Sequence, residues 1–226
     1  MPTAHRDSPV SSPRWRRAAP AQRRSHETMA RFAEAAEELL RDKSFEDISV
    51  HDIVRRAGRP IGSFYARFGS KEALVPFLYE RYDESLGSQF AGKLGRVRWA
   101  DLSFRETTAT IVDLLLRMYD ERRWLLRALA LFARSKPEAL PAGLIHRRGA
   151  VYEPLIQILL RHRRRIRHPD AEAAARFGIF LVSSVAREKL LFGQAPHARV
   201  TPMTRRALRD ELVRALTGYL ASEVSK

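Results

Sequence analysis

Apolar residues recur every three or four positions along most of this chain, the spacing of one buried face on a helix. Met29, Phe32, Ala36, Leu39 and Leu40 predict a helix from about Ser25 to Arg41, and Phe45 reads as a core plug in the connection that follows. Val50, Ile53, Val54 and Ala57 predict a short helix with Ser49 as N-cap and Asp52 closing a capping box. Gly58 stops it, because glycine accepts the positive φ that ends a helix. Pro60 suits the first turn of the next helix, marked by Ile61, Phe64, Tyr65 and Phe68, and Gly69 ends that one. Ser70 then caps a longer helix from Lys71 to about Phe90, with Glu72 near its positive end and Leu74, Phe77, Leu78 and Tyr82 on one face. Pro76 inside it removes a backbone hydrogen bond and bends the axis.

Residues 91–103 are weakly patterned and read as a connection. Beyond them, Ile111, Leu114, Leu115 and Met118 predict a helix over 104–119, and Trp124, Leu125, Leu129 and Phe132 one over 121–134. Pro137 and Pro141 break the chain. Further helices are expected over 142–161, interrupted at Pro154, over 170–192, and over 204–221 after Pro196 and Pro202. No Asn-Gly or Asp-Gly hairpin and no alternating run competes, so the class is all-α. Residues 1–21 carry four prolines and no periodicity and read as a disordered basic tail. The arginines before the first helix, Arg24 included, read either as a solvated tail or as an arm along phosphates or in the minor groove.

Two short helices on a glycine turn have the form of a helix-turn-helix, whose second helix enters the DNA major groove. Within 48–71 five basic residues face one acidic, a local charge of +4 that suits phosphate. The start of the second helix would read bases, which nominates Pro60, Ile61, Gly62, Ser63 and Ala66. None is a long hydrogen-bonding residue, so readout must lean on Ser63, on thymine methyls and on DNA shape. Arg67 is within reach of a guanine edge or a phosphate, and Ser49, His51 and Arg55 are placed for phosphate from the first helix.

The pattern S-V-x-D-I-V-x-R-A-G-x-x-x-G-S-F-Y-x-x-F-x-S-K-E-A-L, from Ser49 to Leu74, resembles the TetR family of bacterial transcriptional regulators. The resemblance covers roughly residues 25–80. Arg59 stands where a small apolar residue is usual and reads as an added phosphate contact; Tyr65 and Lys71 match family positions that typically hold phosphates. The resemblance implies a helix-turn-helix DNA-binding domain over 22–71, a connecting helix over 72–90, and a ligand-binding and dimerisation bundle over 91–226. It implies a homodimer on a palindromic operator, released by a small apolar or amphipathic effector, in a cytoplasmic repressor with no cofactor.

Two apolar stripes are candidates for the dimer interface or for ordinary intrachain core: Ala171, Ala174, Ala175, Gly178, Leu181, Val182 and Val185 on one helix, and Leu208, Leu212, Ala215, Leu216 and Tyr219 on the last. Phe104, Leu115, Met118, Trp124, Phe132, Tyr152 and Phe177 are candidates for the effector pocket, each equally readable as core. The run Arg161 to His168 reads as a solvated basic loop at a helix C-terminus or as a seat for an anionic effector headgroup.

Composition changes this picture little. Lysine and arginine number 41 against 26 acidic residues, a net +15 that fits a polyanion partner without choosing one. The competing reading is a basic helical protein that binds nucleic acid or a membrane surface without sequence preference. Cysteine is absent, which fits a reducing cytosol and removes disulfides and thiolate metal sites. No apolar run approaches the roughly 20 residues of a membrane span, and the basic N-terminus lacks the apolar stretch of a secretory signal. No His-Glu-x-x-His, nucleophile elbow or P-loop occurs, and His146 and His162 stand among arginines that repel a metal cation, so catalysis is not expected.

Overall fold

The computed structural model describes residues 20–140, 143 and 149–222, and no strand occurs among them. The chain divides into two compact units at Leu74 and Val75. The first, here the head, holds α1 (Pro20–Leu39), α2 (Val50–Ala57) and α3 (Ile61–Phe68). α1 starts several residues before the sequence predicts, so the last two residues of the expected tail are helical; residues 1–19 lie outside the described residues.

α1 packs on both α2 and α3. Phe32, Ala33, Ala36, Ile48, Ile53 and Phe64 are essentially inaccessible to solvent, and Phe45 plugs the core as expected. Phe32 meets Phe64 edge-on, with ring centroids 5.3 Å apart, and Phe68 at 6.2 Å. Such aromatic pairs add about 0.5–1.5 kcal/mol each beyond the area they bury.

The second unit, the body, holds nearly all of α4 (Leu74–Gly95), then α5 (Phe104–Glu121), α6 (Arg123–Ser135), α7 (Glu153–Leu160), α8 (Ala171–Leu191) and α9 (Arg205–Ala221). α5 is the central helix, packed against α7, α8 and α9. Its Ile111, Val112, Leu115 and Leu116 are buried. Ser103 caps it, with Glu106 closing a capping box that the sequence reading did not identify. Asp113 takes two hydrogen bonds from Arg209, at 2.8 and 2.9 Å, and Asp120 pairs with Arg205, so α9 is stitched to α5 twice. Both pairs are about a third or more exposed, and each contributes at most about 1 kcal/mol. The Tyr79 hydroxyl, from α4, donates to the Leu129 carbonyl of α6.

Two expectations about the body change. Pro76 lies in the first turn of α4, not in its interior. A first-turn N–H has no intrahelical partner, so proline removes no bond there and bends nothing. Pro154 does interrupt the helix expected over 142–161: residues 149 and 150 are helical, 151 and 152 form a turn, and α7 restarts at Glu153 with Pro154 in its first turn. The stretch 91–103 is not all connection: α4 runs to Gly95 and a short 3-10 turn covers Trp99–Asp101.

His162 follows α7, with Nε2 2.9 Å from the hydroxyl of the fully buried Thr107 and its ring against Phe104. Burial pushes its imidazole below the ordinary 6.5, and Arg165 adds to the effect. The fold therefore favours the neutral imidazole. Stability from this group is complete above 6.5 and is lost as pH falls through the lowered folded value. Between pH 6.5 and that lowered value, the melting temperature of the wild type should drop more steeply with falling pH than that of His162→Gln.

Candidate nucleic-acid interface

Local chemistry sets both helices of the motif. The Ser49 hydroxyl accepts from the Asp52 amide at 3.1 Å and donates to Asp52 Oδ2 at 2.8 Å. The Asp52 carboxylate also takes the Ser49 amide, closing the box. These bonds, with Lys43 and Arg55 nearby, hold the Asp52 carboxyl below its ordinary range. Gly58 ends α2 at φ 61°, the left-handed conformation that glycine adopts without a steric penalty. Arg56 reaches Glu38 at 3.3 Å and ties α2 to α1.

α3 buries Phe64 and Phe68. At 100° per residue the opposite side belongs to Gly62, Ser63 and Ala66, with Tyr65 and Arg67 on the flanks. Gly62, Tyr65 and Ala66 are exposed, Tyr65 by 49 %, and Ile61 is half-buried. Arg59 and Pro60 precede them, exposed in the turn. His51 and Arg55 are exposed on α2, although Arg55 also pairs with Asp52 at 2.7 Å. Arg24, early in α1, and Arg59 line one open depression with Arg31, Glu27 and Glu34. Of the nominated base-reading positions, Gly62, Ser63 and Ala66 thus share one face of α3, Pro60 precedes the helix and Ile61 leans toward the core, and Arg24 is brought to Arg59 across 35 positions of sequence.

Three nominated side chains are already engaged. Arg67 folds back along α3, its Nη1 2.9 Å from both the carbonyl and the hydroxyl of Ser63, rather than extending outward. Ser49 is bound into its capping box. The Lys71 ammonium donates to the carbonyls of Phe45, Glu46 and Ile48 at 2.9, 3.1 and 2.9 Å and lies 4.8 Å from the Phe45 ring centroid. An ammonium has three protons, and all three are used inside the head. Sequence reading assigned Lys71 to phosphate; the structure makes it a clasp on the loop between α1 and α2. Spacing carries no trace of this, because the carbonyls lie more than 20 residues away.

In the body, the pocket candidates do not converge. Leu115 and Phe132 are core, and Trp124 is half-buried. Phe104 stands against His162, and Tyr152 pairs its hydroxyl with that of Tyr119 at 3.0 Å. Phe177 is 48 % exposed on α8. Only Met118 lines the groove between α4 and α5, with Tyr82, Leu86, Phe90 and Leu114. That groove has room for about 20 Å³, the space of one water.

The two apolar stripes divide. Ala174, Ala175, Gly178, Val182, Leu208, Leu212 and Leu216 are buried within the chain. A Cβ on Gly178 would stand 2.7 Å from Leu216 Cδ1, so this part of the stripes is the α8–α9 contact itself. Ala171, Leu181 and Tyr219 are half-buried, and Val185 and Ala215 exposed. The outward apolar face is Phe177, Phe180 and Val185, with Phe180 62 % exposed. Phe180 escaped the sequence reading, although 177, 180 and 181 follow helical spacing. In the basic run, Arg163, Arg164 and Arg165 form a 3-10 turn. At three residues per turn their Cα–Cβ directions are spaced about 120° apart.

The described residues form an all-helical fold of two units, a helix-turn-helix head and a helical body. Residues 33–76 match the family of bacterial regulatory proteins described as the tetR family. The HTH-type transcriptional regulator YvdT of Bacillus subtilis is 36% identical over 64 residues, which make up 28% of this chain and 33% of YvdT. The matched stretch therefore spans about a third of that relative's length. Among solved structures, the TetR family regulator PfmR of Thermus thermophilus has TM-score 0.56 at 20% identity, covering 87% of this chain and 100% of PfmR. The transcriptional regulator FadR of Bacillus subtilis, solved with stearoyl-CoA, has TM-score 0.58 at 13% identity, covering 87% and 99%. The head, over residues 33–76, is thus similar to the DNA-binding region of TetR-family regulators.

Removing the Lys71 ammonium leaves three carbonyls without their donor. Lys71→Met should lower stability by about 1–3 kcal/mol, measured by urea unfolding of the full chain without DNA. An unaltered midpoint would return Lys71 to the list of free surface cations.

Proposed function

We propose that this protein is a ligand-responsive transcriptional regulator that binds a palindromic operator as a homodimer and leaves it when a small apolar or amphipathic effector binds the body. The observation that carries the reading is α3 itself. Its aromatic face is sunk in the head, while its small-residue face stands open beside Tyr65 and a set of arginines. That is the geometry a major-groove helix needs.

The outward face of α8 supports the dimer. Phe177, Phe180 and Val185 are large apolar side chains left in water, which a two-fold contact would cover. A dimer also doubles the bases read, and its symmetry matches a palindrome. Two observations support an amphipathic effector that must open the bundle: the nearly filled groove between α4 and α5 sets Tyr82, Leu86, Phe90, Leu114 and Met118 beside polar and charged residues such as Gln89, Lys93 and Arg122, and the fold neighbour FadR was solved with stearoyl-CoA. An effector shifts the balance only by binding one arrangement of the body more tightly than the other. Repression, in the cytoplasm, is the sign of regulation proposed.

The test is selection of duplexes from a randomised pool by the full chain, followed by titration of acyl-CoA thioesters and free fatty acids against the selected duplex. A palindromic consensus released by one ligand class is expected. A specific-to-random affinity ratio near one at physiological salt would favour the non-specific basic binder instead. Tyr65→Phe should weaken binding to selected and random duplexes alike, by roughly three- to tenfold, as loss of a phosphate contact does. Phe180→Glu should sediment as a monomer and lose the palindrome.

A further inference from the structure

Gly62 occupies the first turn of α3 with ordinary helical backbone, since the described residues with positive φ are Gly58 and Gly69. A Cβ added there would find nothing within 4 Å. Neither conformation nor packing inside the protein calls for glycine, and glycine costs helix stability relative to alanine. Beside it, Arg67 Nη1 donates to the Ser63 hydroxyl oxygen. A guanidinium has no acceptor, so the serine proton cannot return to it. No acceptor among the described residues takes that proton, and Ser63 lies on the same outward side as Gly62 and Ala66.

We propose that these residues set the operator specificity of the head. Gly62 keeps α3 shallow enough for its backbone to approach the base edges, and Arg67 turns Ser63 into a hydrogen-bond donor. Ser63 then selects a base pair that offers an acceptor in the major groove: N7 or O6 of guanine, N7 of adenine or O4 of thymine. Arg67 is a positioning residue that acts through Ser63. The inference rests on the DNA-binding reading above.

The experiment uses duplexes selected from a randomised pool by the wild-type full chain. Gly62→Ala should melt about 1–4 °C higher, because alanine restricts the unfolded chain. The same variant should bind the selected duplex at least roughly tenfold more weakly while keeping its affinity for a scrambled duplex. Ser63→Ala, put through a fresh selection, should return a consensus degenerate at one base pair per half-site, with about tenfold discrimination lost there. Arg67→Met should reproduce that degeneracy.

Wild-type affinity in Gly62→Ala, or a lowered melting temperature, would overturn the role of glycine. An unchanged consensus from Ser63→Ala would overturn the donor. Failure of the wild type to enrich any sequence would sink the DNA-binding reading itself, a result distinct from both.

Discussion

Phe32 lies edge-on to Phe64 and Phe68 in the middle of the head, and this contact decides which side of α3 faces outward. A helix of eight residues is marginal alone, since nucleation is costly and few backbone bonds follow it. α3 holds its shape and rotation because two aromatic rings on one side are sunk beside a third. The face that meets a partner is therefore the residue of a packing decision. Gly62, Ser63 and Ala66 are outward because Phe64 and Phe68 are inward. The Lys71 clasp adds a second restraint from the far side, fixing the loop that carries Phe45 and Ile48 into the same core.

The body follows a different logic. α5 runs through its centre, buried along most of its length, and two of its carboxylates, Asp113 and Asp120, are spent on arginines of α9. With so little free volume between α4 and α5, a ligand cannot enter without moving side chains. A close-packed interior resists small continuous deformation and changes by discrete repacking. That property is what a ligand-responsive switch requires. It also explains why a list of aromatic residues gave no pocket: Phe132 and Leu115 fill space, and Phe177 faces outward.

Much of the fold was legible from spacing, caps and breakers. α2 and α3 were placed by Ser49, Gly58, Pro60 and Gly69, each of which acts on its own neighbours through backbone sterics or one local hydrogen bond. Prolines divided. Pro76 looked like a kink within a helix and sits in a first turn, where helix starts shift by a few residues at no cost in hydrogen bonds, whereas Pro154 breaks its helix as read. The helical stripes on α8 and α9 were found correctly as stripes. Whether a stripe meets its own chain or another is not a property of its period, and most of those residues proved intrachain.

By itself, the sequence determined the helical class, the turn of the head and the family signature, because these depend on residues close together along the chain. Tertiary structure decided what each polar side chain is free to do. Lys71 and Arg67 both looked available as cations. The first is held by carbonyls 23 to 26 residues away, and the second by Ser63 one helical turn off, in rotamers that spacing does not select. Spacing gives the address of a donor; whether its protons are already taken depends on which acceptors the fold brings within 3 Å.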